Sequence, residues 1–333
     1  MRLKVIALVL LGILLGYAAY WFYLSQNVDT YLRHLATTLA QQNGIALNYD
    51  SYRVTGFPYR LELNFQKPVL TYRNGPLAAD IAADSLQAVL QPWNLSHAIL
   101  MSQTSRTVVS FGTEEPTRFA LEPKIFSMSV HAGKTNPLRV SVTWTNVRLS
   151  SNAGPWVPSE LGSLEFHLRK PQSPAAEHDQ LFEPRVLDLA LRAEASAGGT
   201  LNANLAFHGR DVPHVTRAEL GAWRDEGGTL EVETLTLSGQ GLAVSGSGSF
   251  TLDPMFRLLG AVDVKGISRE DLVGLLQEGG WMTEEEAKAV LAFYATLPPD
   301  AAENAIAVTA QDGWLSLGPV RFEPIGPVVR EGD

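Results

Sequence analysis

The side chains best suited to chemistry are seven histidines, His34, His97, His131, His167, His178, His208 and His214. An imidazole can shuttle a proton near neutral pH or ligate a metal. No two of them stand at i, i+4, and there is no cysteine to complete a thiolate set. The tightest grouping is His208, Asp211 and His214, around Pro213 in an expected loop. A catalytic zinc needs three preorganised ligands, usually on rigid elements. No metal site is therefore expected. The run Gly246-Ser247-Gly248 is the nearest approach to a nucleophile elbow or phosphate loop. Both motifs must lead into a helix. Here the residues alternate as a strand does and continue into Phe250-Thr251-Leu252. The glycines read instead as bulges and close backbone approaches in a curved sheet. Glu284, Glu285 and Glu286 follow Thr283 and read as the first turn of a capped helix. No catalytic residue and no cofactor are expected, and the chain is not expected to be an enzyme.

The strongest signal for a structural element is at the N-terminus. Residues 5–24 carry no charge, and Arg2 and Lys4 precede them. Twenty helical residues span about 30 Å, the hydrocarbon thickness of a bilayer. Cations before the run place the N-terminus in the cytoplasm and the body outside it, in the bacterial periplasm, with the anchor in the inner membrane. Tyr20, Trp21, Phe22 and Tyr23 read as an interfacial belt at the outer end, which favours a retained anchor over a cleaved signal. Gly12 and Gly16 form a GxxxG spacing that would let another helix approach closely.

Residues 25–44 read as an amphipathic juxtamembrane helix, with Val28, Tyr31, Leu32, Leu35 and Leu39 on one side and Gly44 as its stop. From residue 45 the period becomes two. Phe57, Tyr59, Leu61, Leu63 and Phe65 are expected to share one buried face of a strand, with Arg60, Glu62 and Asn64 opposite. Similar alternation recurs through Leu86-Ala88-Leu90, Val140-Val142-Trp144, Leu164-Phe166-Leu168, Leu187-Leu189-Leu191, Leu201-Ala203-Leu205, Leu235-Leu237 and Phe250-Leu252. Asp312-Gly313 signals a last hairpin, and two helices begin after Ser268 and Thr283. Residues 45–333 thus read as one antiparallel β domain with a sub-boundary at loop 170–184, rich in proline. The fold class is mainly β: an extended curved sheet, groove-like or sandwich, with an N-terminal transmembrane helix and a few short helices.

Charge narrows the partners. With 26 Lys+Arg against 35 Asp+Glu, net −9, the chain lacks the basic surface a nucleic-acid binder needs. Alternation alone does not say whether the apolar faces pack together or line a groove.

The segment Gly56-Phe57-Pro58-Tyr59-Arg60, the triplet Gln91-Pro92-Trp93 and the ending from Asp312 to Val320, together with the N-terminal helix, resemble a bacterial domain-of-unknown-function family numbered 2125. The stretches 228–237 and 242–252 resemble AsmA-like envelope proteins. That second resemblance implies an inner-membrane anchor, elongated sheets with an apolar groove and a part in envelope lipid homeostasis; the smaller family implies no catalytic residues. The expected function is binding of lipid or another apolar envelope molecule on the sheet, lined by Phe57, Tyr59, Leu61, Leu63, Phe65, Val140, Val142 and Trp144. The alternative is an assembly factor whose sheet binds a membrane or envelope protein.

Overall fold

The computed structural model describes the chain apart from residues 1, 113–115, 133–137, 155–156, 172–183, 213–214, 240, 297–305 and 331–333. The proline-rich stretch read as a sub-boundary lies almost wholly outside the described residues, as does His214.

The uncharged apolar run and the amphipathic segment form one uninterrupted helix, α1 (Arg2–Asn43). Gly44, at φ 63°, ends it, a left-handed position that glycine takes without steric cost. The rest is a single antiparallel sheet of β1 (Ile45–Asn48), β2 (Ser51–Thr55), β3 (Leu61–Gln66), β4 (Val69–Asn74), β5 (Leu77–Ala83), β6 (Ser85–Gln91), β7 (Asn94–Ser102), β8 (Ser105–Phe111), β9 (Thr117–His131), β10 (Arg139–Ser151), β11 (Glu160–Arg169), β12 (Arg185–Ala195), β13 (Thr200–His208), β14 (Thr229–Gly239), β15 (Leu242–Leu252), β16 (Leu258–Lys265), β17 (Ile306–Gln311), β18 (Trp314–Leu317) and β19 (Val320–Pro324).

The pairings reduce to a simple path. β2 pairs with β3 while β1 pairs with β4; β3 pairs with β6 while β4 pairs with β5. β7 and β8 then take the two halves of β9. The first eight strands are therefore the halves of four long, bent strands, and the whole sheet is a meander in chain order.

The bend has a local cause. In each long strand the inward side chains slip by one position at the same level. Inward residues run Leu61, Leu63, Phe65 and then Leu70, Tyr72; Phe119, Leu121 and then Phe126, Met128; Val142, Trp144 and then Val147, Leu149. An extra residue in a strand is a bulge, and it turns the strand while re-aiming side chains. Lys67 (φ 47°) and Asn146 (φ 51°) mark two of these slips. Irregular backbone bonds link the corner from strand to strand: Asp50 N–H to Gln66, Lys67 N–H to Asp84, Asp84 N–H to Thr104. Leu121, Phe126, Val142, Trp144, Val147 and Leu161 fill the inside of the corner. Across it the Trp144 indole donates to the Thr107 hydroxyl at 3.2 Å, although β9 separates their strands in the sheet.

Among the described residues, three helices lie in the C-terminal half. α2 (Arg217–Asp225) packs Leu220 and Trp223 on Leu252 and Phe256. α3 (Arg269–Glu278) and α4 (Glu284–Ala295) close the far end of the sheet, burying Val273 and Val290 with Ile306, Leu317 and Phe322. Both starts follow the sequence reading. Ser268 caps Asp271, and Thr283 with Glu286 forms the full capping box.

One strand differs from expectation. The alternation from residue 57 to 65 is not one strand, because Gly56 (φ 100°) and the Phe57-Pro58 segment turn the chain before β3 begins. Phe57 is 49% exposed and Tyr59 73%, whereas Leu61, Leu63 and Phe65 are buried. Proline removes a ladder donor at residue 58, so regular pairing starts only beyond it.

Candidate functional site

Following the register from strand to strand reveals one apolar stripe. Leu63 faces Ala88, Ala88 faces Leu100 and Leu100 faces Met128. Met128 faces Val142, which faces Phe166, then Leu191, Ala203, Leu235 and Gly246. Gly246 faces Val264, and Val264 faces Ile306. Twelve strands at about 4.8 Å spacing make this stripe about 50 Å long.

The stripe is filled at its ends. At the first end, Val28 and Trp21 of α1 lie over Leu61, Leu63 and Phe65, with Leu32 at the margin. Next to it the corner cluster takes Val142 and Trp144, with Val140, Leu164 and Phe166 at its edge. At the far end α3 and α4 cover Ile306. Between them, Leu189, Leu191, Leu201, Leu205 and Val244 are half-buried, and Leu235 and Leu237 are exposed. None of these seven belongs to a packed cluster. The open part of the apolar face is thus on β12 to β15. Of the residues expected to line it, Leu61, Leu63, Phe65, Val142 and Trp144 are packed core. Val140 flanks that core, and Phe57 and Tyr59 are off the stripe altogether.

The floor is kept low by small residues. Gly248 lies against β16, where a Cβ would sit 2.0 Å from the Ala261 carbonyl oxygen. The motif that resembled a nucleophile elbow is therefore a close backbone approach, with Ser247 exposed on the polar side. Ala203 and Gly246 are the small residues of the stripe between the flanking leucines. The other half of the bent sheet reaches the segment ahead of α2 at one turn. Gly75, in the β4–β5 turn, abuts the Val215 carbonyl ahead of α2, and that half turns Leu70, Ile81 and Val109 to the same side as Leu121.

On the polar side, beside β12, lies a recess of about 380 Å³ lined by Arg139, Arg169, Arg185, Asp188 and Glu233 among others. Arg169 and Arg185 both pair with Asp188, and Arg185 also pairs with Glu233. Partial burial acts to raise the Asp188 carboxyl, but the hydrogen bonds from the two guanidiniums outweigh it and hold it below the usual range. These cations are committed to carboxylates. Among the described residues no group of three histidines or carboxylates is placed to hold a metal. His208 meets Glu231 at 3.1 Å, and Asp211 lies in an exposed loop.

α1 is long and apolar enough to cross a membrane. Residues 4–16 are exposed, and a Cβ at Gly12 or Gly16 would meet no atom within 4 Å. The segment Gly56-Phe57-Pro58-Tyr59-Arg60 and the turn at Pro92 lie against residues 17–22 of this helix. Tyr17 donates to the Pro58 carbonyl at 2.6 Å, Tyr20 to Pro92 at 2.9 Å and the Trp21 indole to Arg60 at 2.9 Å. Phe57 stacks on Phe22 and meets Trp21 edge-on. α2, with its Trp223 anchor, is the element the sequence reading passed over. Its signals were Thr216 three residues before Glu219 and the Leu220/Trp223 spacing.

Residues 21–328 match the sequence model of a family described as "Uncharacterized protein conserved in bacteria (DUF2125)". No curated protein matches the chain.

Proposed function

Because the chain belongs to this bacterial family, DUF2125, whose description assigns no reaction, we propose a function from the site: the sheet binds an acyl chain or similar apolar envelope molecule along β12 to β15. The observation that carries this reading is the set of half-open leucines in register across four strands, between two plugged ends of one stripe. Apolar surface left facing water costs about 25 cal/mol per Å², so a methylene chain laid along it gains roughly 0.8 kcal/mol per CH₂. The role is binding, not catalysis.

In this reading α1 spans the inner membrane with its N-terminus in the cytoplasm, and the sheet stands in the periplasm. Arg2 and Lys4 before the apolar run support that orientation. Tethering raises the local concentration of the sheet at its lipid source and compensates for modest affinity. The resemblance to AsmA-like proteins points the same way, towards envelope lipid homeostasis.

The test is a photoreactive residue at Leu237 on the open stripe, compared with Ser238 on the opposite face, in cells. Lipid adducts at position 237 and not at 238 are expected. Equal labelling, or adducts to a protein alone, would overturn the lipid reading, and the second outcome would make the sheet a partner-binding surface.

A further inference from the structure

We infer that the loop Phe57-Pro58-Tyr59-Arg60 and the turn at Pro92-Trp93 are a second, non-helical membrane contact, set into the outer leaflet beside α1. The inference rests on the reading of α1 as membrane-spanning. Lys4 marks the inner boundary of the apolar run. Measured along the helix, Tyr17 is 13 residues beyond it and Trp21 is 17, or about 20 and 26 Å at 1.5 Å per residue. Both depths fall inside a hydrocarbon layer about 30 Å thick. The three loop carbonyls bonded to Tyr17, Tyr20 and Trp21 are fixed at those depths. The loops therefore cannot stand clear of the bilayer while the helix spans it.

The loop chemistry suits that place. Tyr59 is 73% exposed and Trp93 62%, with Phe57 and Leu95 exposed beside them. In water such a cluster is a cost; at the headgroup boundary Trp and Tyr are the favoured residues. A backbone carbonyl without a partner is expensive at that depth, and the helix supplies donors to Pro58, Arg60 and Pro92. Arg60, the one cation in the loop, is exposed and pairs with Glu62; its long stem lets the charge reach the headgroups. The same contact sets the first end of the apolar stripe, at Leu61 and Leu63, against the bilayer surface.

The absence of native cysteine makes the test direct. Full-length Leu11→Cys, Tyr59→Cys, Trp93→Cys and Gln103→Cys proteins, each labelled with an environment-sensitive fluorophore, are reconstituted in phosphatidylcholine vesicles carrying a spin-labelled acyl chain. Gln103 lies beyond β7, a nine-residue strand and so about 30 Å from Trp93 at ~3.3 Å per residue. Quenching at 59 and 93 several-fold stronger than at 103, with blue-shifted emission, is expected. Quenching at 11 with none at 59 or 93 would overturn the second contact and leave the spanning helix standing. No quenching at 11 would overturn both. Circular dichroism of each labelled protein confirms that the sheet is intact.

Discussion

Asp253 shows how much one side chain can fix in a turn. It is buried, and its carboxylate accepts from the Met255 and Arg257 amides and from the Arg257 guanidinium, at 2.7–2.9 Å. Burial alone would raise this carboxyl, but the bonds from Arg257 and Met255 outweigh it and hold it below the usual aspartate range. A carboxylate depressed in the folded state stabilises fully above its unfolded pKa. That stability is lost as pH falls from about 4 through the lower folded value. Asp253→Asn should therefore cost about 1.5–3 kcal/mol near neutral pH and flatten the acid side of the stability curve, read by denaturant titration from pH 7 to pH 3. Packing predictions separate the two parts of the stripe. Leu61→Ala, from a side chain 5% exposed, should cost about 2–5 kcal/mol by chemical denaturation. Leu237→Ser should change stability by less than about 0.5 kcal/mol and weaken lipid labelling instead. Inward-facing identity was legible for Leu61, Leu63 and Phe65 because strict alternation implies a strand. The same alternation misled at Phe57 and Tyr59, where the pattern runs on through a proline turn and the rings face outward beside α1.

At the scale of elements, alternation announced most of the strands, and a cap before a periodic run announced α3 and α4 but not α2, whose run is short. Thr283 and Glu286 are the clearest case. Thr283→Ala should cost about 1 kcal/mol, measurable as a lowered unfolding midpoint. The segment from β7 to the start of β9 was harder to read. Ser102, Ser105 and Thr107 stand at inward positions there, and a buried hydroxyl looks like a surface residue in a pattern built on hydropathy. The corner was hidden for a related reason. A one-residue slip from Leu121 to Phe126, or from Trp144 to Val147, reads as two unrelated strands unless the slips are aligned across partners that only the structure supplies. Asn146 holds one of them at φ 51°. Asn146→Val should cost about 1–2 kcal/mol, because a β-branched side chain resists the left-handed region, whereas Asn146→Gly should be close to neutral. Comparing the two variants in one denaturation series checks that conformation, not lost side-chain contact, sets the cost.

For the whole molecule, the fold class and a first helix long and apolar enough to cross a membrane were legible from two periods and one uncharged run. Where the stripe stays open was not, because covering depends on which helix returns over which strand. A chain starting at residue 25 should show the dependence on α1. It loses Trp21 and Leu24, both buried, and should uncover part of Leu61, Leu63 and Phe65 and unfold at lower denaturant than the full chain in detergent. Every ladder joins long strands that follow one another along the chain. A polypeptide emerging from its N-terminal end would find, for each new strand, its neighbour already in place. Assembly can then proceed like rows added to knitting, with a single live edge and no wait for the last residue. Low sequence separation between partners also favours fast folding, which limits the time a wide apolar face stays uncovered in a crowded compartment.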